Sequence, residues 1–171
     1  MKALPDANSP GAVPLMPTLR NALGRFATGV TIVTCLDDKG TAVGLTANSF
    51  SALSLEPPLV LWSLRSASPS LGAFAAARYF AVNVLAELQI GLSRRFASPV
   101  ADKFDHGEWH VGSGGVPVLN EAAAVFECEV QSQQETGDHV LFIGQVLAFR
   151  DGGAPPLVFH GGRYHRVGDP L

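Results

Sequence analysis

Between Gly44 and Pro58 the chain reads GLTANSFSALSLEPP, a stretch that is small, hydroxyl-rich and almost uncharged. Thr46, Asn48, Ser49 and Ser51 offer hydrogen-bond donors and acceptors, while Ala47 and Phe50 keep the surface close and dry. A solvated loop carries more charge, and a core strand fewer hydroxyls. The mixture suits a flat, uncharged ring system rich in heteroatoms, held by many weak hydrogen bonds. A polar strand end closed by a Ser-Leu-Glu-Pro turn accounts for the same residues.

Two further stretches carry polar chemistry. In Ser63-Leu-Arg-Ser-Ala-Ser-Pro-Ser70, Ser68 can cap a helix and Pro69 fits its first position. The unpaired N–H groups of a helix start, with Ser66, Ser68 and Arg65, would cradle a phosphate without a glycine-rich loop; an ordinary capped helix is the other reading. In Gly137-Asp138-His139 a hairpin turn explains the glycine and the aspartate. It does not explain an imidazole at the mouth of an apolar strand, where a structural or a functional histidine is possible.

Several chemistries are disfavoured. No G-x-G-x-x-G follows a strand and there is no G-x-x-x-x-G-K-[ST], so a nicotinamide cofactor would bind without a Rossmann unit; Gly112-Ser-Gly-Gly115 reads as a flexible stretch. His106 and His110 are four apart, but Gly107 opposes a helix there, and no metal is expected. No G-x-S-x-G elbow supports a hydrolase.

The elements that must position these residues follow from periodicity and turn chemistry. Thr18 can cap a short helix carrying Leu19, Leu23 and Phe26, which Gly29 ends. Val30 to Leu36 and Thr41 to Ala47 form a hairpin about Asp37–Gly40. Leu59 to Leu64, apolar on both faces, reads as a central strand. A helix runs from Ser68 to about Ala77, a strand from Tyr79 to Leu85, and an amphipathic helix from Glu87 to Phe96. Pro99 to Leu119 is irregular and long, hence a functional flap or an interface arm. Strands follow at Phe126–Gln134, Val140–Phe149 and Pro156–His165. Mostly hairpin-linked strands with two or three short helices argue for a small antiparallel barrel rather than a doubly wound sheet.

The 171 residues fit one domain, and 47% are apolar against 16% charged. That is low on charge for a small monomer and points to apolar surface covered by a second copy. A net charge of −3 gives no nucleic-acid footprint. Cys35 and Cys128 sit in apolar runs and read as buried thiols of a reducing compartment. Residues 1–17 hold four prolines and one lysine and read as a flexible tail, not a signal peptide, and no run approaches membrane-spanning length.

Phe26-Ala-Thr-Gly-Val-Thr-Ile-Val-Thr34, Gly44-Leu-Thr-Ala-Asn-Ser-Phe-Ser51, Pro57-Pro-Leu-Val60 and Gly137-Asp-His139 resemble, in this order, the signature segments of the flavin reductase family. These are short, split-barrel, flavin-binding reductases that often serve two-component monooxygenases. The resemblance runs from about Leu19 to Tyr164. It implies a mainly β, antiparallel, Greek-key split barrel over residues 18–171, in which NADH or NADPH reduces FMN or FAD. Thr46, Ala47, Asn48, Ser49 and Ser51 would line the flavin ring and ribityl chain. Ser63, Leu64, Arg65, Ser66 and Ser68, with Lys103 and Phe104, would receive its phosphate end. His139, Arg163 and Tyr164 would bound the nicotinamide side, with His139 the catalytic candidate. The resemblance further implies a cytoplasmic homodimer, and a flavin-dependent monooxygenase as partner. A split-barrel amine oxidase and a non-catalytic flavin binder are the alternatives, and Gly137-Asp-His139 speaks against both.

Overall fold

The computed structural model describes residues 15–171, so the expected tail lies, for residues 1–14, outside them. The elements run α1 (Leu15–Leu23), β1 (Thr28–Gly29), β2 (Thr31–Leu36), β3 (Ala42–Ala47), β4 (Ser51–Leu55), β5 (Pro58–Arg65), α2 (Leu71–Ala76), β6 (Tyr79–Val84) and α3 (Ile90–Phe96). Then come β7 (Trp109–Val111), β8 (Pro117–Leu119), β9 (Ala124–Thr136), β10 (His139–Asp151), β11 (Val158–His160) and β12 (Arg163–His165). Seven strands form one antiparallel sheet in the order β3-β2-β6-β9-β10-β5-β4. Among the described residues no helix is long and apolar enough to cross a membrane.

The sheet must curl. Seven flat strands would put the edge strands about 29 Å apart, at about 4.8 Å per step. Yet the edges, β3 and β4, are joined by residues 48–50, which span at most about 14 Å between strand ends. The result is an incompletely closed barrel. Its interior holds Val33, Cys35, Val60, Trp62, Phe74, Phe80 and Phe142, with Trp62 stacked on Phe142 at a centroid distance of 4.7 Å. The outer face of β2 and β6 is covered as well, by Phe96 of α3 and by Val116, Val118 and Leu119. Both faces being covered explains why Thr31 to Cys35 are buried without a break instead of alternating.

Polar ties hold this second layer. Thr34 Oγ1 donates to the Pro117 carbonyl at 2.6 Å. The fully buried Asn83 donates to the Ile32 carbonyl at 3.0 Å and accepts from the Leu119 N–H at 2.8 Å. Cys35 and Cys128 are buried free thiols, as their apolar flanks imply, and burial pushes both up to about 12.

Several expectations are corrected. Helix α1 starts at Leu15, so Thr18 lies inside it rather than at its cap, and Gly29 belongs to β1. Leu19, Leu23 and Phe26 face solvent, Phe26 at 78% exposure. Strand β4 was hidden in the hydroxyl-rich stretch, whose polar side chains are too sparse in aromatic and β-branched neighbours to mark a strand. Strand β5 is second from an edge, not central; its burial alternates strictly. Helix α2 begins after Ser70, two residues beyond the Ser68 cap. The latter part of the irregular segment folds as the β7–β8 hairpin on the molecule's own barrel. The last strand is two, turned at Gly161–Gly162, both at positive φ.

Gly44 on β3 sets how closely α3 can approach. A Cβ there would lie 2.7 Å from Phe96 Cε1 and 3.1 Å from Phe104 Cζ. Gly44→Ala therefore overpacks the contact and should cost about 1–3 kcal/mol, read as a lower urea midpoint. Adding Phe96→Leu should recover part of it; an unchanged midpoint for Gly44→Ala would show that α3 moves freely.

Candidate active site

A cavity of about 570 Å³ opens between the end of β3, the end of β5 and the C-terminal end of α3. That volume is in the range of small-molecule and cofactor sites. Of the residues singled out in the sequence, it gathers Thr46, Ala47, Asn48, Ser49, Ser63, Leu64, Arg65, Ser68, Lys103 and His139. Ser51, Ser66, Phe104, Arg163 and Tyr164 are not on its wall.

The hydroxyls of the Gly44–Pro58 stretch divide into two kinds. Ser49 Oγ donates to the Ser63 carbonyl and accepts from the Ser63 N–H, both at 3.0 Å, so one side chain takes the place of a strand partner. Thr46 Oγ1 donates to the Ser93 carbonyl of α3 at 2.7 Å. Both hydroxyls shape the wall instead of projecting free donors. The carboxamide of Asn48 and the hydroxyl of Ser63 make no hydrogen bond among the described residues, and both residues border the cavity. Ser51, at the start of β4, turns its hydroxyl onto the neighbouring Ala52 carbonyl and is exposed.

The expected amide cradle is largely used by the fold. Ser66 N–H donates to the Asp138 carbonyl and Ser68 N–H to the Arg65 carbonyl, both at 2.9 Å. Ser68 Oγ accepts from the Ser70 N–H at 3.3 Å. With α2 only six residues long, positive charge in the cavity comes from side chains, Arg65 and Lys103. Lys103 Nζ donates to the Gly44 and Phe96 carbonyls, each at 3.2 Å. Burial lowers its pKa below the usual lysine value. The segment before it is tied to α3 by the Arg95–Asp102 ion pair at 2.9 Å, which holds the Asp102 carboxyl below the usual range.

His139 opens β10 directly across from Arg65 of β5. Its Nδ1 lies 2.8 Å from Asp138 Oδ1. That hydrogen bond, followed by the charge interaction, holds the Asp138 carboxyl below its ordinary value. With Asp138 accepting from Nδ1–H, the neutral ring keeps Nε2 as an acceptor. Asp138, read as a turn residue, thus also fixes a tautomer.

The other residues sit elsewhere. Phe104 stacks edge-on to Phe96 and Trp109 beneath the wall. Tyr164 places its hydroxyl 2.9 Å from Ser93 Oγ, and Arg163 is exposed on β12. The wall formed by Phe96, Ala97, Ser98 and Pro99, with Leu45, Ala67, Pro69 and Ser70, was missed in the sequence. Its one signal was a helix end lying just ahead of Lys103.

Comparison with known proteins fits this geometry. Residues 23–168 match the family model described as "Flavin reductase like domain". FMN reductase (NADH) SmoA of Agrobacterium fabrum is 44% identical over 151 residues, 87% of this chain and 84% of that one. A Rhizobium meliloti protein named "Probable flavin reductase" is 46% identical over 146 residues, 85% of this chain but 47% of that one, so the chain spans about half its length. The structure of Streptomyces globisporus NADH:FAD oxidoreductase SgcE6, in complex with NAD and FAD fragments, superposes with a TM-score of 0.85 at 34% identity, covering 98% of each chain. The chain belongs to the flavin reductase-like family.

Proposed function

We propose that the protein is an NAD(P)H-dependent flavin reductase whose product serves a flavin-dependent monooxygenase. The observation that carries this is the meeting, in one cavity, of an uncharged hydrogen-bonding wall, two cations and an oriented histidine. The donor set fits a flavin: apolar Leu45, Ala47 and Phe96 for the ring, Asn48 and Ser63 for its heteroatoms, Arg65 and Lys103 for phosphate. When bound, flavin supplies the acceptor for a nicotinamide hydride, and reduced flavin is the product. The protein's part is to hold the rings, exclude water and meet growing negative charge with donors. In this reading His139, oriented by Asp138, accepts from a carboxamide N–H through Nε2 and so aligns the nicotinamide; the Nδ1–Asp138 hydrogen bond supports it. Relatives named as reductase subunits, such as HsaB of Rhodococcus jostii at 42% identity, support the monooxygenase as recipient.

A homodimer belongs to the same reading. Apolar residues that call for cover lie just after α1, on β4 and on β10, where Phe26, Leu55 and Phe149 are 78%, 89% and 74% exposed, and in the 99–119 segment, where Val111 is 78% exposed. Sedimentation of Phe149→Glu should show more monomer than the parent at equal concentration; a parent sedimenting as one species near 18 kDa would refute the dimer.

NADH oxidation with added FMN, FAD or riboflavin separates a reductase from an oxidase or an inert binder. Replacing His139 by Ala should leave flavin affinity within a few-fold and cut anaerobic flavin reduction by NADH at least about tenfold, roughly 1.4 kcal/mol. A wild-type rate in that variant would leave His139 a strand-end residue.

Arg65→Ala should weaken FMN more than riboflavin, because only FMN carries the phosphate, by roughly 1.5–3 kcal/mol. Equal losses would place the phosphate elsewhere. Lys103 adds a pH signature. Its lowered pKa means that it discharges below the ordinary lysine value of 10.5 as pH rises. The FMN-to-riboflavin affinity ratio should therefore fall within that alkaline window. Fold stability should gain over the same window, since the unfolded chain binds the proton more tightly. A ratio flat up to pH 10.5 would remove Lys103 from the phosphate contact.

A further inference from the structure

The binding cavity depends on a helix that has little intrinsic hold of its own. Helix α3 has seven residues and no side-chain cap at its N-terminus. Its C-terminal end nevertheless supplies the wall from Phe96 to Pro99 and the Phe96 carbonyl that Lys103 grips. The helix is placed by ties to other elements, and two of them meet at Ser93, which is fully buried. Its carbonyl accepts from Thr46 Oγ1 at 2.7 Å, on the cavity side. Its hydroxyl lies 2.9 Å from Tyr164 Oη, on the side of β12.

Tyr164 is itself held. Phe159 of β11 packs edge-on to its ring at a centroid distance of 5.5 Å. The Arg94 guanidinium, next to Ser93 on α3, lies 5.8 Å from the same ring. Ring and hydroxyl thus both grip α3, from a strand that is far along the chain and outside the main sheet.

Resting on the flavin-binding reading above, we infer that Tyr164 is a positioning residue for flavin, acting through Ser93 on the α3 wall, and is not a nicotinamide contact. Its hydroxyl is spent on a fully buried serine, and its side chain is not on the cavity wall. Removing the hydroxyl leaves Ser93 Oγ buried without its partner, a loss that is relieved by moving α3 and with it the wall.

The test is quenching of riboflavin fluorescence by the full-length protein, with thermal melting and NADH kinetics on the same samples. Riboflavin lacks the phosphate, so its affinity reads the ring wall and not the cations. Tyr164→Phe and Ser93→Ala should each weaken riboflavin about five- to tenfold while KM for NADH stays within twofold. The double variant should be no weaker than either single one, because both remove halves of one bond. Tyr164→Phe that binds riboflavin like the parent, with a raised KM for NADH or merely a lower melting temperature, overturns the inference. So do single effects that multiply in the double variant. A parent protein that leaves riboflavin fluorescence unquenched overturns the functional reading, and the inference with it.

Discussion

Everything in this molecule depends on how little chain joins the two edges of its sheet. Residues 48–50 connect β3 to β4, and a link that short cannot cross a flat seven-stranded sheet. The barrel is closed by connectivity before any side chain contributes. The Ser49 hydroxyl then grips both backbone groups of Ser63 and fixes the ends of β3 and β5 beside each other. Since those ends make two walls of the cavity, the link that curls the sheet also builds the site. A hydroxyl-rich stretch is needed there because a side chain has to replace strand pairing at the split.

The second wall obeys a different logic. Helix α3 lies against β3 because Gly44 leaves room for the Phe96 ring, and it is fixed by hydrogen bonds at its carbonyls. Lys103 serves this wall and the cavity together: its ammonium binds two carbonyls and still borders the open space. A partly desolvated cation with only neutral partners is poised to gain from an anion. Structure and recognition are thus merged in one side chain.

Much of this was legible in sequence where local chemistry decides. The Asp37–Gly40 turn, the run from Tyr79 into β6 and the long β9–β10 pair follow from turn residues and periodicity. Ten of the fifteen candidate residues meet at the cavity because they lie on four short segments that the resemblance had marked. The rest failed where tertiary partners override local pattern. Thr46 and Ser49 look like free ligand donors until their distant partners, Ser93 and Ser63, are known. Ser68 does accept the capping hydrogen bond, from the Ser70 N–H, but the regular helix starts only at Leu71. Tyr164 and Phe104 stand near marked residues in sequence while their side chains turn to α3 and the core. No spacing along the chain reveals a contact between positions 71 residues apart.

The two cysteines have a practical consequence. Both are buried in the barrel interior, and burial raises the pKa of each thiol to about 12. Alkylating reagents attack the thiolate, so native molecules are silent to them at neutral pH. Labelling therefore counts chains whose sheet has come apart. The protein carries two internal clocks for its own opening, one on β2 and one on β9, and their relative rates report whether the barrel opens as one unit or strand by strand.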